Sequence, residues 1–258
     1  MTFYSLSIVI IFQMILLMRA NEVIDNRYNS THRNLQQARS EFLIYSPQFG
    51  LYNQQRALYH ALAVARVLNR VLVVPDIVSN NGAGPIVPRN LLFDNVLLLE
   101  EAKSFVISTA DYQKLLQSGM AESPTKIISL PVPIKQLVPS MYYYNYLNMK
   151  NLPHEFLSDS PKFHFSENDW FKFANSDPLK VMHDSTIAFY SMYMCWMDNK
   201  FSKLQWLENL EAPIYKEAPW ISKFVKQVID TRMDLSEGYI CGHIRRGDFK
   251  ASCSAYGK

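Results

Sequence analysis

The clearest pattern in the chain lies between residues 41 and 78, where two short apolar runs flank an amphipathic stretch. Phe42–Tyr45 has the length of a buried strand, and Val71–Val74 is a second such run that ends at Pro75. Between them, Gln54–Asn69 places its apolar residues on one helical stripe: Leu58, Ala61, Leu62, Ala65 and Leu68. Strand, loop, helix and strand in this order form a βαβ unit, which predicts a parallel sheet and an α/β fold.

Later apolar runs continue this pattern. The predicted strands are Ile127–Val132 and Tyr239–Ile244, and the predicted helices are Asp111–Gln117 and Trp220–Thr231. Three segments are less regular: Ile187–Met197 fits a helix or a strand, Tyr142–Tyr146 is interpreted as aromatic packing, and Trp206–Pro213 is interpreted as a linker.

The N-terminus has a different character. Phe3–Met18 is a nearly continuous apolar run, too short for an ordinary bilayer span and typical of a signal peptide or a short signal anchor over residues 1–20. Residues 21–40 are polar and are interpreted as a lumenal stem, in which Asn29 begins an Asn-x-Thr glycosylation sequon. The sequence therefore predicts the secretory pathway, in the lumen of the endoplasmic reticulum or Golgi, with membrane contact only through the N-terminal segment.

The composition excludes several classes of protein for this chain. With 258 residues, of which 48% are apolar, the chain is long enough for one large domain or two small ones. A formal net charge of +3 is too small to indicate a nucleic-acid partner. Three cysteines are too few for a disulfide scaffold.

The segment richest in side chains suited to catalysis or ligand binding follows the last predicted strand. His243, Arg245, Arg246 and Asp248 lie at or beyond its carboxyl end, where α/β folds bind ligands. Two adjacent guanidinium groups suit a phosphate or diphosphate, and a carboxylate can orient one of them or accept a hydrogen bond from a sugar hydroxyl. The alternative is a solvated turn with an Arg–Asp pair.

The loop before the first helix is the second candidate. Gly50 lets the backbone approach a ligand, Asn53 and Gln54 supply amides at a helix N-terminus, and Arg56 opens the helix. An ordinary helix N-cap at Asn53 is the simpler explanation.

Several familiar motifs are absent from the sequence. Neither Gly-x-Gly-x-x-Gly nor a P-loop occurs, so dinucleotide and P-loop sites have no support. His-Glu-x-x-His, spaced Cys/His ligands and Asp-x-Asp are also missing, so no metal site is expected.

Two segments together resemble the protein O-fucosyltransferases of the fucosyltransferase superfamily. Gly50–Pro75 is similar to the family's Gly-x-x-Asn-Gln loop, long helix and Val-Pro strand end, and His243–Cys253 is similar to its His-x-Arg strand end with a following Asp and Cys. The resemblance implies two Rossmann-like domains of the GT-B type. Residues 41–213 would form the acceptor-side domain, and residues 214–258 would begin a GDP-fucose-binding domain that is incomplete here.

The resemblance also implies a reaction. Fucose would pass with inversion from GDP-fucose to Ser or Thr on folded extracellular repeats, without a metal or other cofactor. By motif position, Arg245 would stabilise the departing diphosphate and Asn53 would position the reactants. The donor-binding set would be His243, Arg246, Asp248, Gly50, Gln54 and Arg56. No general base is named by the motifs.

Two alternatives stay open. The His243–Asp248 string also resembles the α-1,2-fucosyltransferases, which act on glycans. The chain could instead be an inactive fragment that binds a partner protein through its aromatic surface.

Overall fold

The computed structural model describes residues 41–79, 85–102, 105–129, 141–156, 175, 182–190, 192 and 205–232. Its strands are β1 (Phe42–Tyr45), β2 (Val71–Val74), β3 (Val106–Ser108), β4 (Ile127–Ser129), β5 (His154–Phe156) and β6 (Thr186–Phe189). Its helices are α1 (Leu51–Val67), α2 (Asn95–Glu101), α3 (Thr109–Gln117), α4 (Met141–Tyr146), α5 (Gln205–Tyr215) and α6 (Pro219–Arg232), with a 3-10 turn at Arg89–Leu91.

The six strands form one parallel sheet in the order β3-β2-β1-β6-β4-β5. β1 lies inside the sheet, with Phe42 opposite Val71 of β2 on one side and Thr186 of β6 on the other. The predicted α/β fold with a parallel sheet is confirmed, and the first three residues of Ile187–Met197 belong to the strand β6.

Both faces of the sheet are buried, as parallel sheets require. Alternate residues of β1 point to opposite sides: Leu43 and Tyr45 join a core with α1, α2 and α5, and Phe42 and Ile44 join a core with α3 and α4. The helical stripe predicted for α1 is almost completely buried in the first core. The sheet is therefore the middle of three layers.

The structure corrects two sequence predictions. α1 begins at Leu51, three residues before the predicted start, so Asn53 belongs to the helix and not to the loop. The predicted linker at Trp206–Pro213 is wrong, because these residues lie within α5. Leu207, Leu210 and Ile214 are buried in the core beside α1, and this burial outweighs the cost of a proline in the last turn.

The amino edge of the sheet is held by a buried cation. Arg70 donates to the carbonyl oxygens of Phe42 (3.3 Å), Asp184 (2.8 Å) and Met182 (2.8 Å), and its guanidinium lies 3.4 Å from the Glu41 carboxylate. Several hydrogen bonds to one guanidinium compensate for its desolvation. Arg70 thereby ties the start of β1 to the chain that enters β6.

The chain divides into two compact units, one ending at Ala218 and one beginning at Pro219. In the second unit, α6 matches the helix predicted at Trp220–Thr231, and its Trp220, Phe224 and Val225 side chains are exposed.

Among the helices of the described ranges, none has the length and apolar character needed to cross a membrane. The N-terminal segment with Asn29, and the strand predicted at Tyr239–Ile244, lie outside the described residues. The proposed domain limits and the second Rossmann-like domain stay predictions.

His60 makes the stability of this fold dependent on pH. It is buried on α1, and its Nδ1 donates to the Met192 carbonyl oxygen at 3.2 Å. Burial, helped by the positive charge of Arg56 and opposed by this bond, lowers the pKa of His60 from 6.5 to about 4. The unfolded chain therefore takes up a proton between pH 6.5 and 4 that the folded chain does not, so folding stability falls as the pH falls through this window.

We expect His60→Gln to remove most of that dependence. At full effect the contribution is roughly 1.4 kcal/mol per pH unit, or about 3 kcal/mol over the window. Urea unfolding at several pH values between 7 and 4 would measure it. His183→Gln, at an exposed position, is the matched control and should leave the slope unchanged. Equal slopes for His60→Gln and the unsubstituted protein would contradict this account.

Candidate active site

Two crossover segments meet at the carboxyl edge of the sheet. β1 ends at Tyr45 and leads into α1, while β2 ends at Val74 and leads into residues 75–79. Because neighbouring parallel strands end at the same edge, the first turn of α1 and the segment after β2 lie side by side. This edge is where α/β proteins place their ligands, and it carries one of the two sequence motifs.

The backbone enters α1 through an uncommon conformation. Phe49 has φ = 66°, whereas Gly50, the N-cap of the helix, is extended with φ = −65° and ψ = 163°. A left-handed backbone at a residue with a side chain costs on the order of 1–2 kcal/mol. The role predicted for Gly50, a close approach of the backbone to a ligand, stays a prediction. Surrounding contacts must hold the turn in place.

Asn53 lies in the first turn of α1, three residues after the N-cap. The simpler explanation, an Asn N-cap, is therefore wrong: Gly50 occupies that position, and no side chain caps the helix. The Asn53 side chain is half-buried, and within the described part of the chain no group hydrogen-bonds its amide. An amide in this state can still donate to and accept from a ligand.

Gln54 fastens this turn to the segment after β2. Its Nε2 donates to the carbonyl oxygens of Phe49 (2.7 Å) and Val78 (2.8 Å), and its Oε1 accepts from the Val78 N–H at 3.1 Å. Both N–H bonds of the amide are thus used within the chain, and Gln54 is 3% exposed. The described geometry gives Gln54 a structural role, and its predicted contact with a donor stays a prediction.

Gln55 and Arg89 make a second connection beneath the same turn. The buried Arg89 guanidinium donates from Nη2 to Gln55 Oε1 (2.6 Å) and to the Ile214 carbonyl oxygen of α5 (2.9 Å), and it lies 4.6 Å from the centre of the Phe93 ring. Burial lowers the pKa of Arg89 to about 10, opposed mainly by Tyr45 and Asp76. Arg89 joins α1, α5 and the 3-10 turn into one support for Asn53.

Asp76 is an acidic residue at this edge that the motif comparison missed. Its Oδ1 accepts from the Arg89 backbone N–H at 3.1 Å, and its Oδ2 accepts from the Tyr146 hydroxyl at 2.9 Å. Burial raises the pKa of Asp76, and these bonds and the Arg89 charge oppose the rise. The available signal was the string Val-Val-Pro-Asp, a carboxylate directly after a buried strand.

The remaining predicted residues are distributed as follows. Arg56 is exposed on the second turn of α1. His243, Arg245, Arg246, Asp248 and Asn29 lie outside the described residues, so their roles stay predictions. In the described ranges, no group of three or more His, Cys, Asp or Glu side chains is placed to hold a metal ion.

Comparison with known families decides what kind of protein this is. The sequence profile of the family described as GDP-fucose protein O-fucosyltransferase matches residues 42–258. The chain belongs to this family. The match includes both candidate segments, the first turn of α1 and residues 243–253. A search of curated proteins gave no match.

The fold of this O-fucosyltransferase family member is similar to solved structures of POFUT1. An apo form of POFUT1 aligns with a TM-score of 0.60 at 14% identity, over 85% of this chain and 63% of that one. A complex of POFUT1 with GDP-fucose aligns with a TM-score of 0.53 at 14% identity, over 75% of this chain and 56% of that one. At this identity the similarity is one of fold, and this chain spans less than two thirds of the POFUT1 chain.

We expect Gln54→Leu to destabilise the fold by roughly 2–4 kcal/mol, because the buried N–H and C=O of Val78 lose their partner. Chemical denaturation would measure the loss. Gln117→Leu, an exposed glutamine at the end of α3, is the matched control and should change stability by less than about 0.5 kcal/mol. A Gln54→Leu protein as stable as the control would show that this connection is not needed.

Proposed function

We propose that this protein is an enzyme that transfers fucose from GDP-fucose to Ser or Thr hydroxyls of proteins, with inversion and without a metal. The observation that carries the proposal is the family match across residues 42–258, which contains both sequence segments that the chemistry requires. A solved POFUT1 structure contains GDP-fucose, which supports the same donor here. GDP-fucose is then a substrate, and the proposed reaction uses no cofactor.

Arg245 is proposed to stabilise the leaving diphosphate. Negative charge grows on the phosphate oxygens as the bond to fucose breaks, and a fixed guanidinium meets this charge in the transition state. His243, Arg246 and Asp248 are proposed to line the same donor site, with Gly50, Gln54 and Arg56 contributing from the α1 side. In this proposal the protein has two Rossmann-like domains of the GT-B type. Residues 41–213 form the acceptor-side domain, and residues 214–258 begin the donor-side domain.

Asn53 is proposed to position the donor and the acceptor hydroxyl. The half-buried amide has no hydrogen-bond partner in the described part of the chain, and Gln54 and Gln55 hold the turn that carries it. A rigid support is what a positioning group needs, since small displacements of reacting groups cost large factors in rate.

The acceptors are proposed to be folded extracellular repeats in the endoplasmic reticulum or Golgi lumen. The apolar segment Phe3–Met18 and the Asn29 sequon support entry into the secretory pathway. Membrane attachment in this proposal runs through that N-terminal segment alone.

We expect Arg245→Ala to lower the kcat of fucose transfer in the full-length protein by roughly 100-fold to 1,000-fold, the usual effect of removing one transition-state donor. Asn53→Ala should also lower the kcat of fucose transfer. Asn145→Ala, at an exposed position on α4, is the matched amide control and should keep the unsubstituted rate. Full activity of Arg245→Ala would remove the role assigned to it.

A glycan acceptor is the second candidate, because the string from His243 to Asp248 also resembles the α-1,2-fucosyltransferases. We expect radiolabelled fucose to be incorporated into epidermal-growth-factor-like or thrombospondin-type repeats and not into free galactose-terminated glycans. Transfer to the glycans alone would replace the first proposal with the second.

A further inference from the structure

The Asp76 carboxylate lies at the edge of the sheet that carries the proposed site. It follows β2 by two residues, and β2 is the direct neighbour of β1, whose carboxyl end leads to Asn53. Asp111, in contrast, follows the edge strand β3, which is not a neighbour of β1, and its carboxylate bonds the Ser108 hydroxyl (2.6 Å) and the Lys114 ammonium (3.1 Å). Of these two acids at the carboxyl edge, Asp76 is the one beside the first turn of α1.

Hydrogen bonds join Asp76 to that turn. Gln54 bonds the N–H and the C=O of Val78, two residues beyond Asp76. Arg89 donates its backbone N–H to Asp76 and its guanidinium to Gln55. Residues 53–55 and Asp76 therefore belong to one connected set, with its positions fixed by buried bonds.

The surroundings of Asp76 favour a group that accepts a proton. It is largely buried, and desolvation raises the pKa of its carboxyl, which makes the carboxylate a stronger base. The charged and titratable groups that face it are the Arg89 guanidinium, the Tyr146 hydroxyl and the Tyr143 phenol. Tyr146 is 37% exposed, so the Oδ2 side of Asp76 lies next to solvent.

We propose that Asp76 is the general base that takes the proton of the acceptor hydroxyl during fucose transfer. The proposal rests on the proposed function. The acceptor hydroxyl oxygen forms a bond to the anomeric carbon of fucose. The bond from that carbon to the diphosphate oxygen breaks, and the electron pair of the broken bond leaves with GDP. The acceptor proton passes to Oδ2 of Asp76 and from there to water, so atoms and charge balance.

The test is the kinetics of transfer by the full-length protein and its Asp76→Asn variant across pH. The amide keeps an oxygen for the Arg89 N–H but cannot take up the proton. We expect kcat for transfer to fall by about 100-fold to 10,000-fold, the acid limb of the pH profile to disappear, and the Kd of GDP to stay unchanged. Asp184→Asn, at the opposite edge of the sheet, is the matched control and should keep the unsubstituted kinetics.

Tyr146→Phe gives an independent measurement should Asp76→Asn fail to fold. The Tyr146 hydroxyl donates to the carboxylate and lowers its pKa. Removing that bond should move the acid limb of kcat/KM upward by up to about one pH unit. An unmoved limb would overturn the proposal.

The outcomes separate this proposal from the proposed function. An unsubstituted protein without transfer to any hydroxyl acceptor overturns both. An active protein in which Asp76→Asn retains the rate and the pH profile overturns the general base alone. A folded Asp76→Asn protein that loses both GDP binding and fucose transfer would assign Asp76 to donor binding and overturn its role as the base.

Discussion

The hydrogen bonds of Gln54 are the interaction on which the candidate site depends most directly. One buried amide satisfies the N–H and the C=O of Val78 and the carbonyl oxygen of Phe49 at the same time. It thereby holds a left-handed residue at the entrance to α1 and fixes the segment after β2 against the first turn of the helix. Without it, those backbone groups would be buried without partners, which proteins rarely tolerate.

Two buried arginines stabilise opposite edges of the sheet: Arg70 the amino edge, and Arg89 the carboxyl edge that carries the candidate site. At the amino edge, the hydrogen bonds of the Arg70 guanidinium hold backbone carbonyls in place. At the carboxyl edge, Arg89 holds a side-chain amide, a helix carbonyl and, through its backbone, a carboxylate. A buried cation is costly unless several acceptors surround it, so each arginine also forces its neighbours into one arrangement.

The fold was largely predictable from local patterns. Phe42–Tyr45, Val71–Val74 and the stripe on α1 carry strong periodicity and appear as expected. The prediction failed at Trp206–Pro213, because the burial of this segment against α1 is what decides that helix. The three-residue strand β5 has too little pattern of its own to be recognised, since its pairing with β4 comes from tertiary structure.

The candidate site was predictable only in part. Asn53 was singled out by its motif, but its place within the helix depends on Phe49 taking the strained conformation. Arg89 and Tyr146 carry no local signal, because the residues they bond are far away in sequence and are brought close only by folding. The carboxylate at Asp76 was visible after a strand, but its partners were not.

We propose that the first turn of α1 and Arg245 serve one GDP-fucose site. The most direct measurement is a crystal structure of the full-length protein with GDP-fucose. We expect the diphosphate within hydrogen-bond distance of the Arg245 guanidinium and the fucose ring beside the Asn53 amide. A donor bound away from both residues would contradict it.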